Sequence, residues 1–243
     1  MRRVALIPGG ARGIGRAAAQ ALAVRGWDVA ICYRNSSEDA ALAVAAIEAA
    51  GGAGLALRAD VSDPATCAGL FENVKIWRGR IDALIHCAGP FHRVDLLAET
   101  PEGWRSMFAN NVDGLFYLAR LVAPGMIERH WGRIIGFAMA NADRPTAQTQ
   151  ITAHYLAKVS VLGLLRSLAK ALAPHQITAN GISPGFIDSG SVDMAELAQV
   201  AKTIPAGNVG KRDDVVGAVL YLLSDEAAYV NGANITVSGG WGI

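Results

Sequence analysis

Cysteine is scarce in this 243-residue chain: only Cys32, Cys67 and Cys87, with no CxxC pair and no histidine-rich spacing beside them. An odd count without ligand spacing excludes a disulfide framework and gives no metal site; it fits reduced thiols buried in a cytoplasmic protein. Long apolar runs are missing too. The run that follows Arg2 and Arg3 stops after four residues at Pro8, too short for an export signal. Nowhere do ~18 apolar residues follow one another, so no membrane span is expected. An excess of one charge is also lacking. With 22 Lys+Arg against 21 Asp+Glu the net charge is +1, which gives no reason to expect nucleic acid or an acidic surface as partner. No linker, repeat or low-complexity segment divides residues 1–243, so one domain is expected. Its hydrophobic content of 52% suffices for a large core.

What is present is alternation. Short apolar strand patterns at 4–7, 28–33, 55–59, 81–86, 133–138, 177–182 and 234–237 are separated by helical ones. The helices are expected at 14–24, 38–50, 64–77, 101–123, 153–173, 194–202 and 213–223, with Asp63 capping the third and Pro64 in its first turn. Such alternation implies an α/β fold, a Rossmann-like, doubly wound and mostly parallel seven-stranded sheet with helices on both faces.

Between the first strand and first helix stands Pro8-Gly-Gly-Ala-Arg-Gly-Ile-Gly15. Gly9, Gly13 and Gly15, with Ile14 among them, permit a tight turn and let backbone N–H groups approach a pyrophosphate at the helix N-terminus. The second strand ends in Cys32-Tyr-Arg-Asn-Ser-Ser37, where an NAD-dependent enzyme usually places an acidic residue for the ribose hydroxyls. This chain offers Arg34, Asn35 and Ser36 instead, and Arg12 in the glycine loop is expected to face them. Guanidinium and hydroxyl groups suit a 2′-phosphate, which selects NADP(H).

The later segments carry a family resemblance. Thr152-Ala-His-Tyr-Leu-Ala-Lys158 and the helix running to Pro174, with the glycine loop, Asp60-Val61, His86-Cys-Ala-Gly89, Asn110-Asn-Val-Asp-Gly114 and Ser183-Pro-Gly-Phe-Ile-Asp-Ser189, resemble the short-chain dehydrogenase/reductase family. The bacterial β-ketoacyl-carrier-protein reductases and the pteridine reductases are its similar branches. The resemblance runs from Val4 to the end. It implies that Asp60 and Val61 meet the adenine, that Ala88 and Gly89 lie close to the cofactor, and that Lys158 binds the nicotinamide ribose. It implies that Asn111 loosens its helix and holds a water linked to Lys158, whereas Asn110 reads as an exposed helical residue. Pro184, Gly185, Ile187 and Ser189 would take the nicotinamide end, residues 190–205 would form the substrate lid, and the C-terminal tail would build a homotetramer.

The chain departs from the family where the chemistry is done. Pro8 replaces a Thr. The catalytic Ser should fall near Met139, where no hydroxyl stands; Asn141, 13 residues before His154, or Asp143 could meet a substrate oxygen or nitrogen instead. The family's catalytic Tyr stands four residues before the Lys, and that position is His154, with Tyr155 one residue late. On a helix with Lys158 at zero, His154 lies ~40° to one side and Tyr155 ~60° to the other, so both can approach the ammonium. Three schemes stay open: His154 as proton donor, Tyr155 after a shift of the helix, or no side-chain donor, with an easily reduced electrophile such as a C=N bond. The expected function is an NADPH-dependent reduction of a small carbonyl or C=N substrate. The alternative is a catalytically silent relative that binds NADP(H) and serves as a partner subunit.

Overall fold

The computed structural model describes residues 2–144, 146–188 and 194–242. Seven strands, β1 (Val4–Pro8), β2 (Asp28–Tyr33), β3 (Gly54–Arg58), β4 (Ala83–His86), β5 (Gly132–Phe137), β6 (Ile177–Pro184) and the last, β9 (Asn234–Val237), form one sheet in the order β3-β2-β1-β4-β5-β6-β9. Every neighbouring pair is parallel. Parallel neighbours need crossovers, and helices supply them on both faces. β1 and β5 are buried along their whole length. That is why β1 reads as a continuous apolar run rather than an alternating one, while β5 buries Arg133 among apolar residues.

On one face α1 (Gly13–Val24), α2 (Ser37–Ala49) and α8 (Arg212–Leu223) pack Leu22, Ile47 and Val219 against Ile7, Ile31 and Ile85. On the other, α3 (Pro64–Arg78), α5 (Gly114–Glu128) and α6 (Thr152–Leu172) pack Val74, Leu118 and Leu165 against Leu6, Leu84 and Ile134. Each such side chain taken out of water contributes about 1.5–3 kcal/mol. Asp63 caps α3 as expected, accepting the Thr66 N–H at 2.7 Å. Among the described residues no helix is long and apolar enough to cross a membrane.

Two features differ from the sequence reading. The helix expected at 101–123 is α4 (Pro101–Phe108), one π turn over Ala109–Asp113, and then α5. Asn110 Nδ2 donates to Ser106 O at 3.0 Å and Asn111 Nδ2 to Met107 O at 2.9 Å. Two successive side chains thus compete for carbonyls that regular helix bonds would use, and the turn widens. The second feature is a two-residue ladder, β7 (Ile187–Asp188) beside β8 (Gly210–Lys211), too short to leave a periodicity in the sequence. The short helix α7 (Met194–Ala201) lies where the lid was expected; Ser189 and residues 190–193 lie outside the described residues.

Candidate active site

Strand order reverses between β1 and β4, and a crevice opens there at the C-terminal ends of the strands, the place where such sheets take ligands. One cavity of about 250 Å³ is lined by Gly9, Arg34, Ser36, Asp60, Val61 and Gly89, among others. A second of about 480 Å³ runs past Gly13, Ile14, Gly15, Phe137, Pro184 and Lys158. A larger hollow of about 500 Å³ between α1 and α8 is lined by Arg16 and Arg212 and by none of these residues.

The glycine loop forms a cradle that side chains would close. Gly9 has φ +77°, and a Cβ there would stand 2.8 Å from Ala88 N; one on Gly15 would stand 2.5 Å from Gly9 O. Gly13, at φ +55°, starts α1. Pro8, where the family has Thr, ends β1, and its carbonyl accepts the Cys87 N–H at 2.9 Å. A dinucleotide pyrophosphate therefore fits this loop.

At the outer end Arg12 hydrogen-bonds Ser36 Oγ and pairs with Asp39 at 3.3 Å. Arg34 faces Asp60 at 3.7 Å, and Arg58 donates to the Arg34 carbonyl at 3.2 Å. Arg58 was not picked out from sequence. Strand register was the available signal, since it stands opposite Tyr33 in the β2–β3 ladder. Asp60 accepts from Ser62 N and Oγ, and these bonds with the Arg34 charge outweigh its burial and hold its carboxyl below the usual range.

At the inner end Lys158 is buried, and its Nζ donates to Phe137 O at 2.8 Å. Burial lowers its pKa to about 8. Asn111 is 1% exposed; its Nδ2 is held by Met107, and its Oδ1 has no hydrogen-bond partner. Asn110 is a correction: it is buried and lines the first cavity rather than facing solvent. His154 is 8% exposed, and its Nδ1 lies 3.2 Å from Pro90 O. A carbonyl only accepts, so Nδ1 carries the proton and Nε2 is the unprotonated nitrogen. Burial first, then the Lys158 charge, push its pKa down to about 4.

Tyr155 turns the other way. Its hydroxyl donates to Arg144 O at 2.7 Å and accepts the Thr146 N–H at 3.0 Å. It clamps the segment between β5 and α6, the segment in which the family has its Ser. Within it Met139 packs beside Ala138 and Leu162. Asn141 adopts φ +73°, accepts the Arg144 N–H, and sets its amide against Gly242 of the tail. Asp143 is exposed. Gly185 packs on Ser238, and Ile187 is tied into the β7–β8 ladder.

His86 and Cys87, which replace two Asn of the family, are of different kinds. Cys87 lines the second cavity, and burial pushes its thiol up to about 12. His86 is 2% exposed, its Nε2 has no partner, and burial followed by the Lys158 charge drives its pKa down to about 3. Both His86 and His154 are therefore neutral when folded and take a proton when unfolded, near 6.5. Their contribution to stability is complete above about pH 6.5 and is lost as pH falls toward 4 and 3. Urea midpoints are expected to fall between pH 6.5 and 4.5, at up to about 1.4 kcal/mol per pH unit for each histidine. His86→Asn should flatten that slope, and an unchanged slope would show that His86 does not carry it.

A match to the family described as Enoyl-(Acyl carrier protein) reductase spans residues 9–242. The chain is 34% identical over 242 residues to the 3-oxoacyl-[acyl-carrier-protein] reductase FabG of Escherichia coli K12, covering 98% of this chain and 96% of that one. The chain belongs to the short-chain dehydrogenase/reductase family. A similar relative is the 3-oxoacyl-[acyl-carrier-protein] reductase of Synechocystis, 33% identical over 98% of this chain and 96% of its own. A short-chain dehydrogenase/reductase from Serratia marcescens superposes with TM-score 0.92 at 29% identity, covering 99% of this chain and 98% of that one. Acetoin dehydrogenase YohF from Salmonella typhimurium does so with TM-score 0.91 at 28%, covering 99% and 96%. Membership makes this chain an oxidoreductase with a Rossmann-like fold.

Proposed function

We propose that the protein is an NADPH-dependent reductase of a small carbonyl or C=N compound, with His154 as the proton carrier. The observation that carries the reading is the division of labour on α6. The Tyr155 hydroxyl is occupied on both sides by Arg144 O and Thr146 N, while His154, held through Nδ1 on Pro90 O, keeps Nε2 free beside Lys158. Relatives named for 3-oxoacyl groups and for acetoin, both carbonyl compounds, agree with such a substrate.

The glycine loop, Asp60, Val61, Ala88 and Gly89 would hold the dinucleotide, Lys158 and the segment from Pro184 to Ile187 its nicotinamide half. Ser189 would belong to the same group. NADPH, when bound, supplies the hydride. The protein's own part is to orient the carbonyl, to place positive charge beneath it, and to move one proton. Lys158, buried and cationic below about pH 8, favours charge developing on the substrate oxygen. His154 in its protonated form gives the Nε2 proton to that oxygen and ends as the neutral Nδ1–H tautomer. Asn111, whose Oδ1 is unpaired, would hold a water as in the family.

Arg12, Arg34 and Ser36 would read the 2′-phosphate. Arg34→Ala should weaken NADPH binding by about 1.5–3 kcal/mol and leave NADH nearly unchanged. Fluorescence titration of both cofactors tests this, and equal losses would remove Arg34 from that role. A homotetramer in the cytoplasm is our reading of assembly and location; a monomeric mass by light scattering would refute the first. The competing reading, a silent NADP(H)-binding partner subunit, draws on the same departure: no hydroxyl stands at the Ser position and the Tyr hydroxyl is engaged elsewhere. NADPH consumption over a panel of ketones, quinones and dihydropteridines separates the two.

A further inference from the structure

The loop after β4 carries a pair of ionisable side chains that the reaction above leaves unused. Nε2 of His92 lies 2.6 Å from Glu99 Oε2, and the two side chains are 28% and 10% exposed. Glu99 is thus nine-tenths buried, directly before α4; its second oxygen accepts the Thr100 N–H at 3.0 Å. An ionised carboxylate is expensive to bury unless it is paired and hydrogen-bonded, and the helix N-terminus favours its charge. The fold makes room for the pair at a cost. Gly103 stands inside α4, where glycine is worse than alanine by about 1 kcal/mol. A Cβ there would come within 3.2 Å of His92 Cε1 and collide with Glu99 Oε1.

The pair is tied to the reaction centre on both sides. Pro90, two residues before His92, accepts the His154 Nδ1–H. Val94, two residues after it, donates to Gln150 O at 2.8 Å, and Leu96 to Thr149 O at 2.8 Å, in the stretch that leads into α6. Between them Phe91 sets its ring against His154, centroids 5.0 Å apart and nearly perpendicular. The charge of His92 is felt at His154. His154 is buried and His92 is open to solvent.

We propose that His92, oriented by Glu99, is the solvent-side member of a two-histidine proton relay. The proposal rests on His154 as the reacting acid. A carboxylate only accepts, so Nε2–H of His92 points at Glu99 and Nδ1 is the nitrogen that exchanges. In each turnover the substrate oxygen takes the Nε2 proton of His154. His92, protonated at both nitrogens, passes its Nδ1 proton through water to His154 Nε2, keeps Nε2–H on Glu99, and regains one proton from solvent. One proton enters and one leaves, and no electrons move in this part. The other charged groups on these elements are Arg93 and Asp95 beside His92, Glu102 and Arg105 paired on α4, and Lys158, Arg166 and Lys170 on α6.

His92→Gln is the discriminating variant, because the amide of Gln can still donate to Glu99 but carries no exchangeable acid proton. Reductive turnover of NADPH with the fastest ketone of the panel is expected to fall at least about tenfold in dilute buffer and to recover on addition of imidazole, with the urea midpoint unchanged. Glu99→Gln should lower turnover in the same direction with weaker recovery. Turnover of His92→Gln equal to the parent in dilute buffer, or a loss that imidazole does not repair, overturns the relay. Retained turnover in His154→Phe overturns the reading of His154 itself, and is told apart because it is measured on a different variant. A readout independent of turnover is the ring tautomer in nitrogen-15 spectra of the histidines. Nε2–H at His92 is expected, and Nδ1–H would overturn the proposal at its first step.

Discussion

Replacing His154 with Phe is expected to lower reductive turnover by about 10²-fold or more, the usual worth of a placed general acid, while Tyr155→Phe costs turnover far less. The ranking follows from where the two side chains end. His154 keeps Nε2 free beside Lys158, while the Tyr155 hydroxyl lies between Arg144 O and Thr146 N. Tyr155→Phe should instead appear as about 1–3 kcal/mol of lost stability, since it removes one hydrogen bond donated and one accepted. The pH dependence is a second mark of the same assignment. With a pKa of about 4, only about one His154 in 10³ is protonated at pH 7. Reduction should therefore quicken roughly tenfold for each unit of pH lost between 7 and 5. The reverse oxidation needs neutral His154 and should show no change from this group above pH 5. Steady-state rates in both directions check it. The opposite ranking of the two variants would return the role to Tyr155.

The sequence made the fold legible because its signals there are local and repeated. Seven strands and their helices could be placed from apolar periodicity, Asp63 and Pro64 marked a helix start, and the glycine loop marked the cofactor crevice. The site was legible to the extent that it hangs on the same regular elements. Lys158 and His154 share one helical face, and both are found buried, Lys158 in the wall of the second cavity. What failed depends on distant parts of the chain. Asn110 read as solvent-facing because a regular helix would expose it; the π turn, set by two competing side-chain amides, rotates it inward. The destination of Tyr155 depends on how the 139–151 segment folds back on α6, and no residue near Tyr155 announces that. Nor does any local pattern couple His92 to Glu99, seven residues apart and joined only through irregular backbone and a short 3₁₀ turn.

Gly89→Ala is expected to lower turnover by about 10²-fold with the fold intact, because it displaces the Asn111 side chain beside Lys158. A Cβ at position 89 would sit 3.4 Å from Lys158 Nζ and far inside the contact distance of Asn111 Oδ1. Asn111 cannot yield without loss. Its amide is held by Met107 O at 2.9 Å and Pro90 O at 3.4 Å, within a buried π turn that packs on α6. Relief can come only by turning Oδ1 out of the position from which it would hold a water beside Lys158. Gly89→Ala also touches the cofactor cavity, so binding must be measured apart from turnover. The double variant Gly89→Ala/Asn111→Ala separates the causes. With the Asn111 amide gone the collision is gone, and the double variant should unfold at a urea concentration no lower than Gly89→Ala alone, a coupling between neighbours that additivity does not allow. Turnover should stay low in the double variant, since the water-holding oxygen is turned aside in the single variant and missing from the double one. If Gly89→Ala lowers turnover and the double variant restores it, Asn111 is a spectator whose displacement merely blocks the site. If the single variant binds NADPH poorly and turns over normally at saturation, the role of Gly89 lies in the cradle rather than in positioning Asn111.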